Sequence, residues 1–321
     1  MIRPGSQIYL DYCATTPVDP EVVAAMMPVL EGIFGNPSSM HWAGRQAMDL
    51  KEQARRGIAS VLDCLPNEIV FTSGATEADN LALLGIMKRF LPNQAHLITS
   101  SIEHHAVLHA AAELEKEGYA VTYLPVDRDG LVQAESLQAA LRTETKLVSI
   151  MQVNNEVGSI QPIKELCSIT HNHGALFHTD AVQGLFLEGK IIPRLDADLL
   201  SLSGHKIYGP KGIGALYIRK GIDITPQLLG GPQENSHRAG TENMPGILGL
   251  AAALQKVGRD REILNQHLQQ IRSHLLRRLA GEIPEAIING NPEYSASHIV
   301  SARFPGAVAE MMLLLLSQAG I

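Results

Sequence analysis

Residues 201–220 read SLSGHKIYGPKGIGALYIRK, with Lys206 held between a histidine and a glycine-rich run. Asp198-Leu199-Leu200-Ser201-Leu202 ahead of it reads as an apolar strand, and Ala215-Leu216-Tyr217-Ile218 behind it as a second. Lysine ordinarily occupies a solvated face. Here it ends a strand among residues too small to shield it. Its purpose depends on the kind of sheet that strand joins.

Outward from this stretch, helix-period and strand-period segments alternate. Helices are expected over 45–62 (with Ala47, Leu50, Ala54, Ile58 and Val61 on one stripe), 75–90, 106–118, 137–145 and 163–174. Strands are expected in EIVFTSG, HLITSSIEH, AVTYLPV, KLVSIMQV, ALFHTD, ADLLSLSG and GALYIRK. This alternation predicts an α/β fold, a mainly parallel sheet covered by helices. From Asp260 the pattern changes to a long amphipathic helix carrying Leu264, Leu268, Ile271, Leu275 and Leu279, followed by an α+β segment. A domain boundary is therefore expected near 255–262. A large domain would span 15–258, and a smaller one would be built from 1–14 and 259–321. No internal repeat or low-complexity tract is present.

Composition narrows the function. The chain has 321 residues, 45% of them apolar, and a net charge of −7, with no basic run. That argues against nucleic acid as the main partner. The longest apolar stretch, AVAEMMLLLL, is too short to span a bilayer, and the N-terminus MIRPGSQIYLDY has no signal-peptide core. Cys13, Cys64 and Cys167 are odd in number and widely spaced. They fit a reducing compartment, the cytoplasm, and give neither a disulfide framework nor a cysteine zinc site.

Ligands of parallel sheets collect at the carboxyl ends of the strands. Gly74, Ala75 and Thr76 fall where a strand turns into a helix, which is either an anion site or an ordinary helix cap with Thr76 and Glu77. His104 and His105, Asn154 and Asn155, Asp180 and Gln183, and Ser203, His205 and Lys206 fall at other strand ends. A strand-end lysine beside a phosphate site, with a carboxylate on the next strand, suits pyridoxal phosphate. The amine forms a Schiff base, the carboxylate keeps the pyridine nitrogen protonated, and the helix start takes the phosphate. His171, His173 and His178 lack the companions of a metal site, and the first two read as dipole-favoured residues at a helix C-terminus. GPKGIG is glycine-rich without the Gly-Lys-Ser/Thr ending of a nucleotide-binding loop.

The stretches YLDYCATTPVDP, FGNPSSMH, FTSGATEADN, SIEHHAVL, VNNEVGSIQPI, FHTDAVQ, SLSGHKIYGPKGIGALYIRK and RAGTENMPGILGL run through almost the whole chain. Together they resemble cysteine desulfurases of the NifS/IscS type, among the class-V aminotransferase-like, fold-type I pyridoxal 5'-phosphate enzymes. The resemblance implies a seven-stranded-type sheet with helices on both faces and a smaller, incomplete α+β domain. Lys206 would be the Schiff-base lysine and Asp180 the partner of the pyridine nitrogen. His104 would stack on the ring and shuttle a proton, and Gln183 would contact the phenolic oxygen. Thr76, Ser203 and His205 would hold the phosphate on the turn made by Gly74 and Ala75. Asn155 would lie on the substrate-carboxylate side. Thr241 would reach the phosphate of the neighbouring subunit in a homodimer. The implied substrate is L-cysteine, with sulfur passing through an enzyme persulfide to an iron–sulfur scaffold or another acceptor protein. Related chemistries are those of selenocysteine lyases and small-amino-acid aminotransferases, and a catalytically incomplete homologue acting as a binding partner is a further class.

One departure stands out. The family carries its sulfur-accepting cysteine on a mobile loop soon after a segment like LLLLSQAGI, and these residues stop at Ile321. The resemblance therefore places the nucleophile and a substrate-binding arginine beyond residue 321 and implies a truncated chain. Cys13 stands where the family has a small residue and is expected to be a packed thiol.

Overall fold

The computed structural model describes residues 7–187 and 191–321. Residues 1–6 of the segment expected to join the smaller domain lie outside the described residues. Helices α1 (Pro20–Glu31) and α2 (Trp42–Leu62) precede strand β1 (Ile69–Thr72) and helix α3 (Ala75–Met87). Then come β2 (His96–Ser100), α4 (His105–Lys116), β3 (Ala120–Leu124), α5 (Ala134–Ala140), β4 (Thr145–Ser149), α6 (Ile163–His173) and β5 (Leu176–Asp180). Helix α7 (Ile191–Leu195), β6 (Leu199–Ser203), β7 (Gly214–Ile218) and the long α8 (Met244–Glu282) follow. The chain closes with the short pair β8 (Ile287–Ile288) and β9 (Ala302–Arg303) and with α9 (Ala309–Gln318).

The first seven strands form one sheet in the order β1-β7-β6-β5-β4-β2-β3. Only β7 runs against its neighbours β1 and β6; the other pairings are parallel. The strict two-residue period of strands sends alternate side chains to opposite faces. Ile69, Phe71, Ile98, Leu200 and Leu202 enter the core shared with α2 and the first half of α8. Val70, Leu97, Leu199 and Leu216 enter the core under α3 and α4. Both faces being covered explains why these strands read as unbroken apolar runs. Glycine matters at Gly214, where a Cβ would come 2.5 Å from the Leu202 carbonyl oxygen and 2.7 Å from the Gly74 backbone. Its absence lets the turn after β1 lie directly against β7.

Several expected boundaries move, and three of the shifts have a clear physical reason. The helix expected over 137–145 spans Ala134–Ala140, because Thr145 accepts a 2.8 Å bond from the Arg142 N–H and opens β4. Regular pairing of β4 ends at Ser149, although the Ile150 and Gln152 N–H groups still donate to the His178 and Asp180 carbonyls at 3.1 and 2.8 Å. The change of pattern at Asp260 is a change of burial along one helix. Helix α8 is capped by Asn243 and buries residues from Met244 to Val257 in the core it shares with α1 and α2. It then continues without a break across 255–262, helped by the Lys256–Asp260 pair at 3.3 Å. No helix among the described residues is long and apolar enough to cross a membrane.

Candidate active site

The carboxyl ends of the central strands open into a cavity of about 790 Å³. Lys206, in the single turn that follows β6, extends its Nζ to the Cys13 carbonyl and, at 2.9 Å, to that of Ala14. Asp180 ends the adjacent β5 and is only 6% exposed; its Oδ1 accepts from the Val182 N–H at 2.9 Å. His104 caps α4: its Nδ1 accepts the Ala106 N–H at 3.1 Å, which leaves Nε2 as the nitrogen free to donate. Gly74 is the cap residue of α3 and supplies no side-chain acceptor to that helix start. Gly74, Ala75, Thr76, His104, Asn155, Asp180, Gln183, Ser203, His205 and Lys206 all line the one cavity. Thr241 does not. It is exposed and lines a neighbouring hollow that shares only Ser73 and Gly212 with the first.

Burial governs the charges. Desolvation pulls Lys206 below the ordinary lysine range, opposed by Cys13, Asp180 and Asp11. Desolvation also pushes Asp180 up, opposed by the Val182 N–H, His104 and Lys206. Behind Asp180 lies a second layer. Asp79 is fully buried, and its carboxyl is pushed well up by desolvation and then by Asp180. His178 Nε2 lies 3.6 Å from Asp79 Oδ1 and 3.0 Å from the Ser201 hydroxyl, and its Nδ1 lies 2.8 Å from the Ser149 hydroxyl. Burial holds that ring neutral, with a pKa lowered to about 3. Glu103 is also buried, with a pKa raised to about 8 by desolvation, and accepts from the Ser100 hydroxyl and the Met151 N–H.

The N-terminal segment is the part of the site that sequence reasoning passed over. Thr15 Oγ1 meets His205 Nδ1 at 3.1 Å, and Thr16 donates both its hydroxyl and its N–H to the His205 carbonyl at 2.9 Å. The signal was the paired threonines of CATTP, whose hydroxyls suit a strand end rich in acceptors. Cys13 is packed, as expected, against Val153, Ala296 and Ile299; it also lines the cavity, and desolvation raises its pKa. Cys64 and Cys167 lie outside the cavity, and burial pushes Cys64 up to about 12. The one carboxylate at the α3 start, Glu77, is met by Arg238 at 2.8 Å and accepts the Ser73 N–H, so its charge is neutralised within the wall. His171 and His173 end α6 and bond to Asp198 and to the Arg142 carbonyl. Among the described residues no cluster could hold a metal ion.

The donor set fits pyridoxal phosphate. An uncapped helix start, two hydroxyls and a histidine can take a dianion, a buried carboxylate lies on one side of the cavity, and an amine with a lowered pKa completes it. Fold and site together define a fold-type I pyridoxal-phosphate enzyme. The family model for class-V aminotransferases matches residues 8–321. The chain belongs to that family, with the cysteine desulfurases. Cysteine desulfurase IscS of Methanosarcina thermophila is 48% identical over 314 residues, covering 98% of this chain and 78% of the relative. A solved NifS-like protein superposes with a TM-score of 0.95 at 39% identity, covering 98% of this chain and 86% of the other. A structure of SspA in complex with cysteine superposes with a TM-score of 0.83 at 37% identity, covering 97% and 86%.

Proposed function

We propose that this chain is a pyridoxal-phosphate-dependent cysteine desulfurase that takes L-cysteine to L-alanine and passes the sulfur to an acceptor protein, an iron–sulfur scaffold or another. The observation that carries the reading is Lys206 itself, a half-buried amine at the end of β6, facing one cavity with Asp180 and the start of α3. The cysteine held by the SspA relative supports the choice of substrate. When bound, the cofactor supplies a carbonyl carbon for amines and a ring that draws electrons from the substrate Cα.

The residues supply the rest. Thr76, Ser203 and His205, with the free N–H groups of Gly74 and Ala75, are the phosphate donors. Asp180 is the partner of the ring nitrogen, kept able to ionise by His104 and Lys206. His104, fixed by its cap bond, presents a ring face and an Nε2 proton to the cavity. Gln183 is the donor to the phenolic oxygen, and Asn155 serves the substrate carboxylate. Lys206, with its pKa lowered by burial, takes the proton from the substrate Cα and returns it. Thr241 serves the phosphate of a second copy in a homodimer. Residues 15–258 form the cofactor domain and 1–14 with 259–321 the smaller one, joined by α8. The cytoplasm is the compartment in which we place this chemistry.

Isotope exchange tests the role of Lys206 apart from the fate of the sulfur. The cofactor-loaded protein in D2O should exchange the α-proton of L-cysteine, and Lys206→Ala should slow this by about 10²-fold or more. Borohydride followed by peptide mapping should place the pyridoxyl group on Lys206. Equal exchange in Lys206→Ala, or a label on another lysine, overturns the reading.

A further inference from the structure

Gln183 is held on both sides. Its Nε2 donates to the Cys13 carbonyl at 3.1 Å, the same oxygen that Lys206 Nζ reaches. Its Oε1 faces Nε2 of His298 at 3.2 Å. His298 comes from the segment after α8, far along the chain. That segment is braced: the Ala296 N–H donates to the Gly158 carbonyl at 2.8 Å, and the Ser297 hydroxyl donates to Asn265 of α8 at 3.0 Å. Ile299 packs with Val153 and Cys13, and the His298 ring lies against Phe186 with centroids 5.2 Å apart.

The bonding pattern leaves one arrangement. The Cys13 carbonyl can only accept, so the Gln183 NH2 must face it. The Gln183 oxygen can only accept, so His298 must donate from Nε2. The other ring nitrogen, Nδ1, is buried without a partner, which suits a bare lone pair better than an N–H. Burial also holds the ring neutral, with a pKa lowered to about 4.

We infer that His298 is a positioning residue for the cofactor site: its Nε2–H locks the Gln183 amide with its NH2 on the side of the Cys13 carbonyl that Lys206 also reaches, the orientation in which it can donate to the cofactor's phenolic oxygen. This deepens the reading of Gln183 given above and rests on it. Without the lock, the bond to the Cys13 carbonyl, which Lys206 also uses, is the one left among the described residues to orient the amide; a turn away from it brings the amide oxygen toward that phenolic oxygen, and a hydrogen bond becomes a repulsion. His298 is neutral near neutral pH, so its removal takes no charge from the site. Any change it causes there comes from orientation.

The test is the pH titration of the visible absorption of the cofactor-loaded protein, with the histidine tautomer read by 15N NMR. His298→Leu should raise the apparent pKa of the lysine-bound cofactor by on the order of one unit. Gln183→Leu should do the same, and the double variant should add nothing further. His298→Gln, which keeps a donor, should restore most of the wild-type value. The NMR spectrum should show His298 as the Nε2–H tautomer, with or without cofactor. An Nδ1–H tautomer overturns the proposal. So does a shift in Gln183→Leu with none in His298→Leu, which would leave the role of Gln183 standing. No shift in Gln183→Leu overturns both.

Discussion

Lys206 and Asp180 are both working charges in a place that disfavours charge. Burial lowers the lysine and raises the aspartate, and each partly restores the other. Glu103, one layer back, shows the cost in a simpler form because it has no cationic partner among the causes of its shift. Its pKa rises from 4.5 to about 8. Between those values the unfolded chain has lost this proton while the folded one holds it. The folded state therefore loses stability as pH climbs through the window, and the cost is complete above it. Glu103→Gln keeps an acceptor for Ser100 and Met151 but carries no titrating proton. Thermal melts from pH 5 to pH 8 should show the variant gaining on the wild type by on the order of 2–3 kcal/mol. A constant difference across that range would mean that Glu103 ionises normally in the fold.

The elements that present the site are tied by a buried ion pair. The Arg55 guanidinium of α2 grips Glu234 through two bonds of 2.7 and 2.9 Å and also donates to the Ile69 carbonyl at 2.6 Å. Glu234 in turn accepts the Phe71 N–H of β1 at 2.9 Å. The loop it anchors holds Glu234, Asn235 and Ser236 at φ of 47, 55 and 65°, left-handed values that non-glycine residues adopt only under constraint. Arg55→Met should cost about 3–5 kcal/mol, because it strips a buried carboxylate of its two-bond partner and leaves it only the Phe71 N–H and the Lys51 ammonium at 3.9 Å, and the paired change with Glu234→Gln should cost less. A drop in urea midpoint no larger than that of a surface substitution would contradict this. Periodicity did not reveal the tie, since its partners lie 179 residues apart. The same holds for Thr15 with His205, 190 apart, and His298 with Gln183, 115 apart. What periodicity could locate were strand ends, and Lys206, Asp180, His104 and Gln183 all sit at or just past one. The helix expected over 137–145 lies later than α5 because its Leu-Gln-Ala-Ala core fits a helical register on either side, and only the Thr145 hydroxyl shows where the strand takes over.

At the scale of the molecule, two features of the single chain bear on the proposed homodimer. Phe34, Met40 and Trp42 are 82, 89 and 68% exposed within one short stretch. Large apolar side chains clustered at a surface mark an interaction site more often than not. Thr241 is exposed and outside its own chain's cavity, and its hydroxyl is the same kind of donor as those proposed for the phosphate. The proposed homodimer would satisfy both: it would cover the apolar stretch and carry Thr241 to the neighbour's phosphate. The two effects separate by mutation. Phe34→Glu with Trp42→Glu would place two charges in the proposed interface and should yield monomers in sedimentation velocity, with weakened pyridoxal-phosphate binding. Thr241→Val should stay dimeric and still bind the cofactor roughly 10–100-fold more weakly, the loss expected for one hydrogen bond to a charged group. A wild-type chain that sediments as a monomer while holding the cofactor tightly would leave Thr241 without a role. A Thr241→Val dimer with unchanged affinity would confine the phosphate site to one chain's Thr76, Ser203 and His205.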